Sequence, residues 1–383
     1  MPTSSTVNMQ ARVLYLTMNA NLASTTIPTI GWLSNLVPRG LKPVMATSTH
    51  GEFSKWVEDQ GHPCYTLSLT APAWNGSLAG YWSFLQLCRI VQKHRVQLVH
   101  CNEQNIYPIG AYLSKAMRIP ILVSIHFTME RGFCSWAFRK RIPDRVIFVS
   151  DGNLRNCLPS IEGIVDSSRF VVVNNGIDNN RNKPDANLRR EFREKHNVGD
   201  AVALGVACAL RPRKQVDHLI KAASLISGNI KVFVAGAAVP GDEDYAEKLI
   251  ASSYKLLGNR VTFLGHQQDL RPLLNGLDLF VNTSQEEACS ISVIESLAHG
   301  CPVIGYASKS VDCQILPDGG EITAQDDIPA LAECIQRWST DPNLRLQTSA
   351  NARRIATSKF DMLGNCEQVW KIYEDVLQSR ARA

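Results

Sequence analysis

One alternation constrains this chain more than any other feature. Short, largely apolar runs occupy residues 12–17, 43–47, 97–101, 120–126, 145–150 and 169–173, separated by polar loops or stretches with helical spacing. The pattern resumes at 201–207 and continues through 231–236, 261–265, 277–281 and 303–305. Runs this short, closed by glycine, proline or polar residues, read as buried strands. Strand, helix and strand in succession build a doubly wound α/β sheet. The two series are divided by a polar segment, residues 178–190, that includes Asn179-Asn-Arg-Asn-Lys-Pro184 and reads as a linker. Two α/β domains are therefore expected, and 383 residues exceed what one ordinary core accommodates.

Composition removes several classes of function. A hydrophobic fraction of 45% and a charged fraction of 20% describe a globular chain rather than a disordered one. The net charge of +5 is scattered and too small for a nucleic-acid binder, although it suits an anionic ligand or an anionic membrane surface. Eleven cysteines, an odd number without a Cys-x-x-Cys pair, indicate free thiols in a reducing compartment and no zinc site. There is no run of eighteen apolar residues, and Met1-Pro-Thr-Ser-Ser-Thr6 does not read as a signal peptide. A cytoplasmic protein is expected, with peripheral contact at the inner face of a membrane left open. The strand at 231–236 ends in a single glycine rather than a dinucleotide fingerprint, which speaks against a dehydrogenase.

Candidate chemistry gathers in the second half. Glu287 lies in a loop after the run at 277–281, and Glu295 follows after seven intervening residues on a stretch with helical spacing closed by Gly300. Loops leaving the carboxyl ends of parallel strands form the ligand crevice of open α/β sheets. Carboxylates there accept hydrogen bonds from hydroxyls, as a sugar and a ribose would offer them. A structural alternative exists for each acid: Ser292 and Glu295 fit a capping box, and Glu287 an ordinary solvated loop. Upstream, Arg211-Pro-Arg-Lys214 joins a strand to a helix. Its guanidinium forks, its ammonium and the helix N-terminus make a diphosphate clamp, against the alternative of a solvated basic turn. In the first half, His126 ends the run at 120–126, at the crevice edge of its own sheet, although a lone histidine is more often structural.

The stretch Glu287-Ala-Cys-Ser-Ile-Ser-Val-Ile-Glu295-Ser-Leu-Ala-His-Gly-Cys-Pro-Val-Ile304 resembles the signature of the family 4 glycosyltransferases, and the likeness extends along nearly the whole chain. Asn174-Asn-Gly-Ile-Asp178 is similar to the turn where that family leaves its first domain. The resemblance implies the GT-B architecture, two doubly wound Rossmann-like domains facing a cleft. The first is expected over residues 1–178, on the acceptor side, with a C-terminal helix, 361–379, returning to it. The second is expected over 188–360 and would bind a nucleotide-sugar. It also implies a retaining transfer that needs no metal or other cofactor. By resemblance, His126, Arg211, Lys214 and Glu287 carry the chemistry: His126 and Glu287 contact the donor sugar, and Arg211 and Lys214 hold its diphosphate. Glu295 holds the ribose, and Ser290, Ile291, Lys309 and Ser310 complete the donor side. The chain departs from the family pattern at Ala209, where many members have the arginine. It departs again at Lys309-Ser310 and at Asn19-Ala-Asn-Leu-Ala-Ser24, each in place of a glycine pair.

The partners expected are a nucleotide-sugar donor and a glycan or lipid-linked acceptor. Alternatives are a donor-binding relative without turnover, a GT-B epimerase, or a phosphorylase with a pyridoxal lysine. Two segments bear on membrane contact. The helical stretch 79–94 carries Tyr81, Trp82, Phe84, Leu85 and Leu87, expected mainly to pack on the sheet. Residues 130–145 interleave Phe133, Trp136 and Phe138 with Arg131, Arg139, Lys140 and Arg141, fitting either a packed surface helix or a membrane-surface element.

Overall fold

The computed structural model describes residues 10–23, 25–70 and 78–381; the N-terminal reading, residues 1–6, lies outside the described residues. The chain divides into two compact units. One runs to Gly176 and takes in the chain again from Met362; the other is Ile177–Asp361.

The first unit holds seven strands: β1 Ala11–Thr17, β2 Leu41–Thr47, β3 Cys64–Thr66, β4 Leu98–Cys101, β5 Ile121–Ile125, β6 Arg145–Phe148 and β7 Phe170–Val172. All pair in parallel in the order β3-β2-β1-β4-β5-β6-β7. The central strands are buried on both faces, so their sequences read as continuous apolar runs rather than alternating ones. The last helix, Met362–Ala381, belongs to this unit and packs on the helix Ile27–Leu36. It buries Val369, Trp370, Ile372, Tyr373 and Val376. It also brings polar groups into the core that satisfy one another. The Tyr373 hydroxyl lies 2.8 Å from that of Tyr15 and 2.7 Å from His100 Nδ1, while His100 Nε2 meets Ser124 Oγ at 2.9 Å. Burial pushes the His100 pKa down to about 3, so the ring is neutral.

The second unit has six parallel strands: β8 Val202–Ala207, β9 Ile230–Ala235, β10 Val261–Gly265, β11 Leu279–Asn282, β12 Val303–Tyr306 and β13 Gly320–Thr323, ordered β10-β9-β8-β11-β12-β13. The polar stretch read as a linker runs into a helix, Ala186–Lys195, whose N-cap Asp185 accepts from the Asn187 and Leu188 amides. Phe192 is its one buried residue. Arg189 and Arg193 instead secure it by gripping Asp278 at 2.6 and 3.0 Å. Charge, not an apolar stripe, holds this helix down, which is why periodicity misses it.

All eleven cysteines are free thiols. No helix of the described residues is long and apolar enough to cross a membrane. In the helix Leu78–His94, Leu87 is buried as expected, but Tyr81, Trp82 and Leu85 are exposed, contrary to the expectation that they pack on the sheet. The helix Arg131–Phe138 is a packed surface helix. Cys134, Ala137 and Phe138 are buried, Phe133 and Trp136 lie against the core, and Arg131 is bound to the carbonyls of Pro159 and Glu162.

Candidate active site

In the second unit the chain builds β9 and β10 to one side of β8, then crosses back to lay β11, β12 and β13 on the other. The strand order reverses between β8 and β11, and the carboxyl ends at such a reversal are where open α/β sheets bind ligands. Three segments meet there: the loop after β8, the loop after β11, and the turn after β12.

The loop after β8 is held in place by backbone pairing. Cys208 donates to the Ala235 carbonyl at 3.0 Å and Leu210 to the Ala237 carbonyl at 2.9 Å. Gly236 allows this approach. Its φ is +144°, and a Cβ there would stand 1.8 Å from the Cys208 carbonyl oxygen. The loop then winds into a short 3-10 turn, Pro212–Lys214, before the helix Val216–Leu225. Two hydrogen bonds tie this turn to the loop after β11: Thr283 Oγ1 donates to the Lys214 carbonyl at 3.0 Å, and the Gln285 amide to the Arg213 carbonyl at 2.9 Å.

This tie sets Lys214 beside Glu287. The Lys214 ammonium donates to Glu287 Oε1 in an ion pair whose side chains are only 12% and 11% exposed. Arg211 stands apart from them, 40% exposed, with Nε 3.2 Å from Asp242. Arg213 reaches the Glu286 carbonyl at 3.4 Å. The clamp is thus split: one buried cation on an acid, one half-exposed guanidinium on another.

Glu295 sits on the helix Ile291–Ala298. The N-cap is Ser290, so Ser292 and Glu295 both lie inside the helix and form no capping box. The carboxyl has no hydrogen-bond or ion-pair partner among the described residues, and burial pushes its pKa up to about 7, opposed by Arg181 and reinforced by Asp269. Ser290 makes no side-chain cap; its main chain is gripped by Gln314, which accepts from the Ser290 amide at 3.1 Å and donates to its carbonyl at 2.9 Å. Ile291 is buried. Lys309 and Ser310 open a short helix, Lys309–Ile315, capped by Ser308, whose Oγ accepts from the Val311 amide at 3.2 Å. Lys309 is exposed, while Ser310 is fully buried and its hydroxyl has no hydrogen-bond partner among the described residues. The structure therefore joins Lys214 to Glu287 and ranges Arg211, Ser290, Glu295, Lys309 and Ser310 on the elements that follow β8, β11 and β12. Thr283, Gly236 and Gln314, which fix this arrangement, were not singled out as site residues in the sequence.

His126 belongs to the first unit, immediately after β5. It is buried, its amide donates to Gln104 Oε1 at 3.1 Å, and its Nε2 has no hydrogen-bond partner among the described residues. Burial pushes its pKa down to about 4 against a hydrogen bond to the Asn102 carbonyl. With Nε2 unpartnered, Nδ1 is the nitrogen that carries the proton and makes that bond. Nε2 is then a bare acceptor.

Residues 35–181 match the description "Glycosyltransferase Family 4" and residues 189–355 match "Glycosyl transferases group 1". Among curated proteins, the chain is 21% identical to the UDP-Gal:alpha-D-GlcNAc-diphosphoundecaprenol alpha-1,3-galactosyltransferase of Escherichia coli, over 78% of this chain and 80% of that one. It is 26% identical to the alpha-D-kanosaminyltransferase of Streptomyces kanamyceticus, over 72% and 76% of the two chains. Among solved structures, HepE of Anabaena in complex with UDP-glucose superposes with a TM-score of 0.84 at 22% identity, covering 95% of this chain and 99% of that one. The chain belongs to glycosyltransferase family 4, the group 1 glycosyl transferases, and has the GT-B fold.

Proposed function

We propose that the protein is a retaining glycosyltransferase that moves a hexose from a nucleotide-diphosphate sugar, a uridine diphosphate sugar first among them, to a hydroxyl of a glycan or lipid-linked acceptor. The buried Lys214–Glu287 pair at the strand-order reversal carries this reading. A lysine there meets the diphosphate and the adjacent glutamate meets the sugar hydroxyls, so the bond to be broken lies between them. The acceptor hydroxyl oxygen bonds to the anomeric carbon as the donor's anomeric C–O bond breaks; that bond's electron pair leaves on the diphosphate, which takes up the hydroxyl's proton. Lys214 and Arg211 balance that charge while the sugar gains oxocarbenium character, so no metal is required for the purpose. Glu295, a carboxyl without a partner among the described residues, takes the ribose hydroxyls. His126 Nε2 is an acceptor for a hydroxyl of the donor sugar. The relatives point the same way: HepE is described with UDP and UDP-glucose, and the Escherichia coli relative by a UDP-galactose donor.

The test combines thermal shift with turnover. Uridine, guanosine and adenosine diphosphates and their hexoses are added to the wild type, Lys214→Met and Glu295→Ala. One nucleotide family should raise the wild-type midpoint, since a ligand that binds only the folded state stabilises it. Both variants should lose the rise, and the same donor should be consumed on turnover. If no nucleotide moves the wild type, the reading fails. The pairing of Arg211 with Asp242, together with Ala209 and Lys309-Ser310, favours a second reading, a donor-binding relative without turnover. It predicts the shift without consumption. A GT-B epimerase would convert the sugar of the donor with no acceptor present.

A further inference from the structure

We infer that the first unit carries a subsite for a neutral, hydroxyl-bearing sugar of the acceptor, built around Glu103. The inference rests on the glycosyl-transfer reading and specifies the chemistry of its acceptor. In the first unit the strand order reverses between β1 and β4, and Glu103 stands just beyond the carboxyl end of β4. It is 7% exposed. A carboxylate this buried is normally paired with a cation. Glu103 has none among the described residues; its contacts are two neutral donors, both to Oε1. Thr17 Oγ1, at the end of β1, donates at 2.6 Å, and the Asn19 amide donates at 3.2 Å. Oε2 has no hydrogen-bond partner among the described residues.

The surroundings point to the same ligand. Asn19 begins the loop that replaces the family's glycine pair, and its amide is bound to this carboxylate instead. The next residue of the chain, Gln104, accepts from the His126 amide at 3.1 Å and donates to the Phe127 carbonyl at 3.2 Å. Glu103 is thereby fixed one strand away from His126. Phe127, on the same edge, is 42% exposed. The second carboxylate oxygen of Glu103, near an exposed phenylalanine, suits a ligand rich in O–H donors. A phosphate placed there would face a carboxylate with no cation to offset it. An acceptor sugar bearing hydroxyls, not phosphate, therefore occupies this position.

Glu103→Gln separates a ligand role from a structural one. The amide oxygen still accepts from Thr17 and Asn19, but the second arm becomes an N–H donor. The full chain, wild type and Glu103→Gln, is tested against immobilised neutral oligosaccharides and the same sugars phosphorylated. The wild type should bind neutral sugars in preference. The variant should melt with the wild type yet bind those sugars about tenfold more weakly, the weight of one hydrogen bond to a charged group. Unchanged binding in the variant, a preference for phosphorylated sugars, or no sugar bound by the wild type overturns the inference. Nucleotide-induced midpoint shifts are measured in both proteins, and the variant should keep them. A wild type that no nucleotide shifts removes the transfer reading instead, while sugar binding still judges the subsite.

Discussion

Lys214 and Glu287 neutralise each other where either charge alone would be costly. Their side chains are 12% and 11% exposed. Removing one partner of a buried pair leaves an uncompensated charge and costs about 3–5 kcal/mol, whereas replacing both with apolar groups is often neutral. Lys214→Met or Glu287→Leu alone should therefore lower the melting midpoint, and the double variant should recover most of the loss. A double variant that melts lower than either single one would contradict the pairing. Donor binding should be lost in all three, so each ligand shift must be read against the variant's own baseline. Glu295 makes a different prediction. With a pKa near 7, it is largely protonated on the acid side of neutrality. Ribose hydroxyls donate to the ionised form, so binding releases a proton and affinity for UDP-glucose should rise as pH increases through 7. UDP-glucose is the suitable probe because its diphosphate is a diester and does not titrate in this range. Calorimetric titration at pH 6 and pH 8 should show the rise in the wild type and a flat profile in Glu295→Gln. Equal slopes would remove Glu295 from the ribose.

At the scale of elements, the parts that could be read from sequence were those whose burial is continuous. Strands β1, β4, β5, β8 and β9 lie under helices on both faces, so their runs carry the signal. The short edge strands β3 and β13 do not stand out, because half-buried residues such as Tyr65 and Ile322 carry no distinctive pattern, whereas the similarly short edge strand β7 shows an unbroken Phe-Val-Val-Val run. The helix Ala186–Lys195 was hidden by its reliance on arginines. The acid pair and the basic loop were visible because charged residues clustered after strand-like runs. That Lys214 would turn onto Glu287 while Arg211 turned onto Asp242 depends on the twist of the 3-10 turn, which spacing does not specify. Glu103 escaped notice because it sits among Asn102 and Gln104, a polar trio with no motif. The β8 loop owes its place to Gly236, and this can be tested at a distance from any charge. Gly236→Ala would drive a Cβ into the Cys208 carbonyl at a φ of +144°. The variant should lose more than about 1 kcal/mol of stability and its nucleotide-induced shift as well. A variant that melts lower but keeps the full shift would show that the loop is positioned by something else.

At the scale of the whole molecule, the two units should respond differently to acid. In the first unit His100 and His126 are held neutral, with pKa values pushed down to about 3 and about 4 by burial. Unfolding restores both to about 6.5, so between pH 6.5 and 4 the unfolded chain binds more protons than the folded one and stability falls as pH falls. In the second unit His299, at about 4, acts in the same direction. Glu295 acts oppositely. Its folded pKa of about 7 lies above the unfolded value, so between about pH 4.5 and 7 the folded state holds the extra proton and gains stability as pH falls. Burial also lowers the pKa of His62 and His94 in the first unit and of His196 in the second, so the first unit has four histidines pulling one way, whereas in the second Glu295 opposes His196 and His299. Scanning calorimetry at pH 7 and pH 5 should show the first unit's transition falling further than the second's. Tyr373→Phe identifies that transition, because it removes the hydroxyl that Tyr15 and His100 share and should lower only the first unit, by about 1–3 kcal/mol. Glu295→Gln should then steepen the acid response of the second unit alone. Equal falls in the wild type, or a second unit indifferent to that substitution, would mean that these buried groups do not set the acid stability.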